Sequence, residues 1–141
     1  MTRALTLYVA SPVTAYGTPH RGRALAGIRA EVGAGTVILD PAVLFTTDAE
    51  WLAEWPRLVR SLDMLVIVPA ADRTVGAGVL REVSDALAHC VPVSLWAPPG
   101  RLVPWAAFDV RGIPSGTAGM AAWVVPVDVP TDPTPMREHA R

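Results

Sequence analysis

Asp63-Met64-Leu65-Val66-Ile67-Val68-Pro69 is followed by a polar, glycine-bearing loop, then by Gly78-Val79-Leu80-Arg81-Glu82-Val83-Ser84-Asp85-Ala86, and then by Val91-Pro92-Val93. The unbroken apolar run Met64 to Val68 marks a strand buried on both faces. The spacing of Val79, Val83, Ala86, Leu87 and Cys90 predicts a helix over Val79 to His89 with one apolar face. Residues Val91 to Trp96 predict the next strand, with Pro92 tolerated near its start. Two apolar strands joined through a helix form a parallel crossover unit.

The same alternation continues on both sides. Upstream, Leu5 to Ala10 is rich in strand formers and stops at Ser11-Pro12. Residues 12–19 read as a loop, and His20 to Val32 as a helix ended by Gly33 and Gly35. Thr36 to Leu39 is a short strand closed by Asp40-Pro41. Asp48 is placed as the N-cap of a helix from Ala49 to Leu62, which Pro56 should kink. Its apolar face carries Trp51, Leu52, Trp55, Leu58, Val59 and Leu62. Downstream of Pro98-Pro99-Gly100 the signal thins. Trp105 to Val110 reads as a short helix or an irregular lid, and Met120 to Val127 as a fifth strand. The proline-bearing end beyond Val129 reads as a tail. The order predicts one α/β domain over residues 1–128, with a loose tail over 129–141. Its architecture is a three-layer sandwich around a central parallel sheet of four to five strands. Ligands of such sheets bind at the carboxyl ends of the strands. That places Ser11-Pro12, Asp40-Pro41, Pro69 to Gly78 and Ala97 to Gly100 around one cleft.

Composition narrows the chemistry. The chain has 141 residues, of which 51% are hydrophobic and 18% charged, enough for a single well-packed core. A net charge of -1 disfavours nucleic-acid binding by bulk electrostatics. All 12 basic residues other than His are Arg; Lys, Asn and Gln are absent. Without Lys there is no Schiff base, pyridoxal-phosphate anchor or Walker-type phosphate lysine. One cysteine, Cys90, excludes an internal disulfide and a Cys-based zinc site. The three His lack metal-ligand spacing, so neither a metal nor a cofactor is expected. Carboxylate, hydroxyl and arginine chemistry remains. No apolar run reaches the roughly 18 residues that would span a membrane. Met1 to Ala15 faintly resembles a short signal peptide but reads better as a first strand, so a cytoplasmic location is expected.

Glu82 is the leading candidate for chemistry. It lies at the edge of the buried stripe and early in its helix, facing the strand ends. A carboxylate there is partly desolvated yet near the positive helix end, which suits a nucleophile. The competing reading is a solvated residue matched to the dipole. Asp72 is either a proton donor or a turn-former before Arg73, and Asp40 either a second acid or a strand-ending turn residue. Thr74-Val75-Gly76-Ala77-Gly78 is either an anion-binding loop or a flexible glycine turn. His20 and Arg21 read as solvated, and Cys90 as a buried small hydrophobe. Trp51, Trp55 and Trp96 read as packing residues of the core or of an interface.

The strand ending in Ala10-Ser11-Pro12, the Gly78-x-x-x-Glu82-Val83-x-x-Ala86 motif after the third strand, and the Pro92-Val93 strand together resemble the nucleoside 2-deoxyribosyltransferase-like superfamily. That superfamily includes nucleoside 5′-monophosphate N-glycosidases, and the resemblance covers about residues 5–97. It implies a flavodoxin-like sandwich and a homo-oligomer. It also implies a small-molecule nucleoside or nucleotide substrate, with Glu82 at the position of the nucleophile and Asp72 as its acid. Ser11 and Tyr16 would contact sugar or base, Asp40 would stand behind Asp72, and Thr74, Gly76 and Gly78 would hold a 5′-phosphate. Hydrolysis is slightly favoured over deoxyribosyl transfer. Where relatives carry a base-holding aspartate eight residues before the position of Asp63, this chain has Trp55, with Glu54 beside it. The alternative function is a non-catalytic nucleotide- or ADP-ribose-like sensing module on the same fold. Glu82 discriminates: a carboxylate that points into the cleft beside a second carboxylate favours catalysis, while one solvated or paired with Arg81 favours binding.

Overall fold

The structure, a computed structural model, describes residues 4–97, 100–105, 108–112 and 122–126, the last two segments by their backbone. The element order is β1 (Thr6–Ala10), α1 (Pro19–Val32), β2 (Val37–Leu39), α2 (Pro41–Leu44), α3 (Asp48–Leu58), β3 (Met64–Ile67), β4 (Thr74–Val75), α4 (Ala77–Ala88), β5 (Val93–Ala97), β6 (Arg101–Pro104), β7 (Phe108–Gly112) and β8 (Ala122–Pro126).

The central sheet has the order β2-β1-β3-β5-β6. Its first four strands are parallel, with Tyr8 opposite Leu39 and Leu65, and Leu65 opposite Val93. The fifth is antiparallel: β6 folds back on β5, pairing Leu95 with Val103. The sheet is therefore mixed rather than wholly parallel as expected. Met120 to Val127 does contain a strand, but β8 belongs to a second sheet of order β4-β8-β7. The segment Trp105 to Val110, expected as a helix or lid, ends in strand β7. The expected tail, 129–141, lies outside the described residues.

Period-two alternation divides the core into two layers. Tyr8, Ala10, Leu65, Ile67 and Leu95 point to the face covered by α3 and α4, where they meet Trp55, Val59, Val79, Val83 and Ala86. Leu7, Val9, Val66 and Val68 point to the other face and meet Ala24 and Ile28 of α1. Helices therefore cover both faces of a mostly parallel sheet. β1 leads through α1 to one side of the sheet and β3 through α4 to the other. The chain thus reverses direction between β1 and β3, the place where such sheets open a crevice at their carboxyl ends.

Local chemistry explains several boundaries that periodicity alone misplaces. The cap of α3 is Thr47, not Asp48: its hydroxyl accepts from the Glu50 N–H. Pro56 sits inside α3, which tightens into a 3-10 turn over Val59–Ser61. Asp40 does more than end a strand. Its carboxylate accepts from the Ala42 N–H and, with Pro41 at the first helical position, starts α2.

Cys90 is exposed, not buried. It occupies the left-handed position that ends α4, with φ 58°. The Val91 N–H reaches back to the Ala86 carbonyl and the Cys90 N–H to the Leu87 carbonyl. Glycine ordinarily fills that position, because a Cβ there is strained by about 1–2 kcal/mol. Cys90→Gly should therefore stabilise the fold by about 1 kcal/mol, read as a higher urea midpoint; an unchanged or lower midpoint contradicts the strain.

Gly27 illustrates the opposite constraint. A Cβ at this helical position would collide with the Trp96 ring, which also rests against Gly100. An exposed helical Gly→Ala change normally gains about 1 kcal/mol. Gly27→Ala should instead lose about 1–3 kcal/mol through overpacking, with a shift in tryptophan emission as the indole leaves its slot. A gain in thermal stability would show that the indole moves aside freely.

Candidate functional site

Glu82 is almost wholly withdrawn from solvent. Only 5% of its surface is exposed, and its side chain lies on the α3/α4 face of the sheet. The Tyr8 hydroxyl, from the middle of β1, donates to its Oε2. The Trp51 indole N–H, from α3, donates to the same oxygen at 2.8 Å. Oε1 accepts no hydrogen bond, and no sealed side-chain oxygen or nitrogen among the described residues lacks a partner. Oε1 is thus the oxygen left facing accessible space. Among the described residues the carboxylate has no ion-pair partner. Arg81 does not reach it and instead lies over the Trp51 ring, 5.7 Å from its centre.

This environment inverts the expected electrostatics. α4 begins at Ala77, so Glu82 is the sixth helical residue, beyond the first turn where the dipole acts strongly. Burial drives its carboxyl up; the Tyr8 and Trp51 hydrogen bonds pull it back, and the charge of Asp85 adds to the rise. The result is a pKa pushed up to about 7 from an ordinary 4.5. At neutral pH the group is poised between its two forms rather than fully ionised. Tyr8 is also raised, first by burial and then by the Glu82 charge. The phenol proton therefore stays on Tyr8, whose hydroxyl remains a donor.

A second pair repeats the arrangement one turn further along. The Trp55 indole N–H donates to Asp85 Oδ2 at 2.9 Å, while the Trp55 and Tyr8 rings are 4.9 Å apart. Trp51 and Trp55 are four residues apart on α3; Glu82 and Asp85 are three apart on α4. Each pair therefore shares a face of its helix, and two indole donors meet two carboxylates. The Trp55 indole occupies the core, and Glu54 is exposed and paired with Arg57.

Arg21, read from the sequence as solvated, is the largest correction. It is 3% exposed. Its Nε donates to Ser11 Oγ at 3.0 Å, and its two terminal nitrogens donate to the two oxygens of Asp40 at 3.2 and 2.7 Å. The guanidinium also lies 4.9 Å from the centre of the Tyr16 ring. Burial alone would push Asp40 up. The Arg21 hydrogen bonds, the Ala42 N–H and the Arg21 charge outweigh it and hold the carboxyl below its ordinary range. Tyr16 is pushed up to about 12, by burial first and then by the Glu82 charge, against the pull of Arg21. Ser11, Tyr16 and Asp40 are therefore brought together by a residue the sequence reading set aside. His20 is half-buried and its Nε2 meets the Pro69 carbonyl at 3.1 Å, linking α1 to the end of β3.

The loop before α4 is held differently. Asp72 is exposed, and its Oδ1 accepts from both the N–H and the hydroxyl of Thr74, at 3.1 and 2.6 Å. Thr74 is 4% exposed and directs its hydroxyl to Asp72. The turn that carries Asp72 is closed by the Arg73 N–H on the Ala70 carbonyl, with Arg73 at φ 68°. Gly76 is the N-cap of α4 and offers no side chain, so the first N–H groups of α4 have no side-chain cap. Gly78 is exposed in the first turn, near the Trp51 ring. Asp63 accepts from the Thr6 N–H at 2.8 Å and ties β1 to the start of β3.

A separate groove of about 630 Å³ lies on the opposite face of the sheet, lined by His20, Arg23, Gly27, Glu31 and Trp96 among others. It does not include Glu82. No group of three or more His, Cys, Asp or Glu able to hold a metal occurs among the described residues. None of the described helices is long and apolar enough to cross a membrane.

The fold and the site define an α/β protein that encloses a carboxylate held by aromatic donors, with no ion-pair partner among the described residues. No protein-family model, curated protein or solved structure matches the chain.

The raised Glu82 has a measurable signature. A carboxyl with a higher pKa in the folded than in the unfolded chain binds more protons when folded. Its contribution is complete below pH 4.5 and is lost as pH rises through 7. Between about pH 4.5 and 8, wild type should therefore lose about 3 kcal/mol relative to Glu82→Gln, which has no proton to lose. Urea unfolding of both proteins across that range checks this, and parallel stability curves contradict it.

Proposed function

We propose that the protein cleaves an N-glycosidic bond of a nucleoside or nucleoside 5′-monophosphate, with Glu82 as nucleophile. The observation that carries this reading is the division of labour between the two Glu82 oxygens. Oε2 is clamped by Tyr8 and Trp51, while Oε1 accepts nothing and is not sealed in. A carboxylate fixed through one oxygen presents a lone pair of the other in a set direction, which is what a displacement at a sugar carbon requires.

In this reading Oε1 attacks C1′, the C1′–N bond breaks with its electron pair on the base nitrogen, and a neutral base takes up a proton from solvent as it leaves, giving a glycosyl ester on Glu82. Water, or a second base, then displaces Glu82, and two inversions give net retention at C1′. Hydrolysis is the favoured outcome. The uncapped N–H groups at the start of α4 suit a 5′-phosphate, although the Thr74 hydroxyl is already given to Asp72. The parallel order β2-β1-β3-β5, with helices on both faces, is compatible with a flavodoxin-like arrangement. Glu82 is neither solvated nor paired with Arg81, which favours catalysis over a sensing module.

The test incubates purified protein with ribo- and deoxyribonucleosides and their 5′-monophosphates, with and without an acceptor base, and reads free base by chromatography. Glu82→Gln should lower base release by about 10³-fold or more. Tyr8→Phe removes one donor that lowers the Glu82 pKa, so the acidic limb of the rate profile should move to higher pH. Absence of base release from every one of these substrates, and from N-glycosides whose base is positively charged, removes the proposal in favour of a binding module.

A further inference from the structure

We infer that the N-glycoside taken by this site carries a positively charged base, a pyridinium or an N-quaternised purine, which departs without needing a proton. The inference rests on the cleavage reading above and specifies its substrate class.

The first support is the missing counter-charge. Glu82 is buried, and both its partners are neutral donors. Arg21 is committed to Asp40, and the exposed Arg81 lies on Trp51. The charge acting on Glu82 is that of Asp85, which has the same sign. A buried carboxylate ordinarily comes with a paired cation. Among the described residues none pairs with Glu82, so a cationic ligand would complete the site and hold Glu82 ionised for attack.

The second support is the lack, among the described residues, of a group with a proton to give. A neutral base leaves as an anion unless an acid protonates it. Asp40 accepts two hydrogen bonds from Arg21 and one from the Ala42 N–H. Asp85 accepts from Trp55, and Asp72 accepts twice from Thr74. Tyr8 donates to Glu82 itself. Tyr16, pushed up to about 12, is a poor acid. His20 faces the Pro69 carbonyl, which only accepts, so its Nε2 proton is already spent there. Around Glu82 the described carboxyl groups accept hydrogen bonds, and none is arranged to donate.

The third support is the aromatic rings that surround Glu82 and Arg21. The rings of Trp51 and Tyr16 each already lie under a guanidinium. They are electron-rich faces in cation-binding geometry.

The steps balance. Oε1 of ionised Glu82 forms a bond to C1′. The C1′–N bond breaks, and its electron pair stays on nitrogen, cancelling the positive charge and releasing a neutral base. Water then adds to C1′, Glu82 departs as carboxylate, and one proton passes to solvent.

The experiment compares cationic and neutral partners on wild type, so that it does not depend on any variant folding. 7-Methylguanosine is set against guanosine, and nicotinamide riboside serves as a second cationic substrate. Binding of 1-methylnicotinamide is set against nicotinamide by titration calorimetry. After correction for uncatalysed hydrolysis, 7-methylguanosine should exceed guanosine in kcat/KM by about tenfold or more, and the methylated nicotinamide should bind about tenfold tighter. Glu82→Gln, checked by circular dichroism, should lose both preferences. Equal corrected rates and equal binding overturn the inference while leaving the cleavage reading intact. No cleavage, with the cation preference retained, overturns the cleavage reading and keeps a cation site. No cleavage and no preference overturn both.

Discussion

Everything near the candidate site follows from placing one carboxylate where water does not solvate it. Glu82 joins three elements: Tyr8 from β1, Trp51 from α3 and its own helix α4. Desolvation of such a group costs several kcal/mol, and two hydrogen bonds from neutral donors recover only part of that. The protein could have removed the cost with an apolar residue, because the surrounding positions already form a continuous aromatic and aliphatic core. A retained buried acid with a raised pKa in that setting makes Glu82 a candidate site residue. The adjacent Asp85–Trp55 pair shows the gentler version of the same contact, with a carboxylate only partly removed from solvent.

The second organising contact is the buried guanidinium of Arg21. It holds Ser11 at the end of β1 and Asp40 at the end of β2, and it stacks on Tyr16 in the connection between β1 and α1. Three strand-end segments that would otherwise move independently are thus fastened to one rigid, planar donor. The two clusters meet electrostatically through Tyr16, whose phenol responds to both Glu82 and Arg21. One pair of strands therefore carries a neutralised ion pair at its edge and an unneutralised carboxylate nearby.

The alternation of elements was readable because each parallel strand is apolar on both faces and each helix has one apolar stripe. Glu82 was readable for the same reason: its angle on the helix put it at the margin of the buried side. Its partners were less legible. Tyr8 sits in an apolar run, where nothing separates a hydroxyl with work to do from ordinary core. The signal that was present is the i, i+4 spacing of Trp51 and Trp55 against the i, i+3 spacing of Glu82 and Asp85. Arg21 was misjudged because arginine is normally exposed, and its partner lies 19 positions away beyond a whole helix. Cys90 continues the apolar period of α4, but the backbone turns left-handed there and carries it out of the stripe. Strand β6 was hidden by its shortness and by the proline-rich turn before it. Its antiparallel return depends on pairing with β5, which local pattern does not encode.

The pairing of β4 with β8 sets an order of assembly. Thr74 and Val75 form a strand of two residues whose partners are Trp123 and Ala122. During synthesis the four parallel strands and α4 leave the ribosome well before β8 does, and the early segments of a domain begin to fold first. The leader of the helix that bears Glu82 therefore spends that interval without its strand partner. Its pairing with β8 adds to the Ala70 and Asp72 contacts that already hold Thr74, so the leader is tied to both neighbouring and distant sequence.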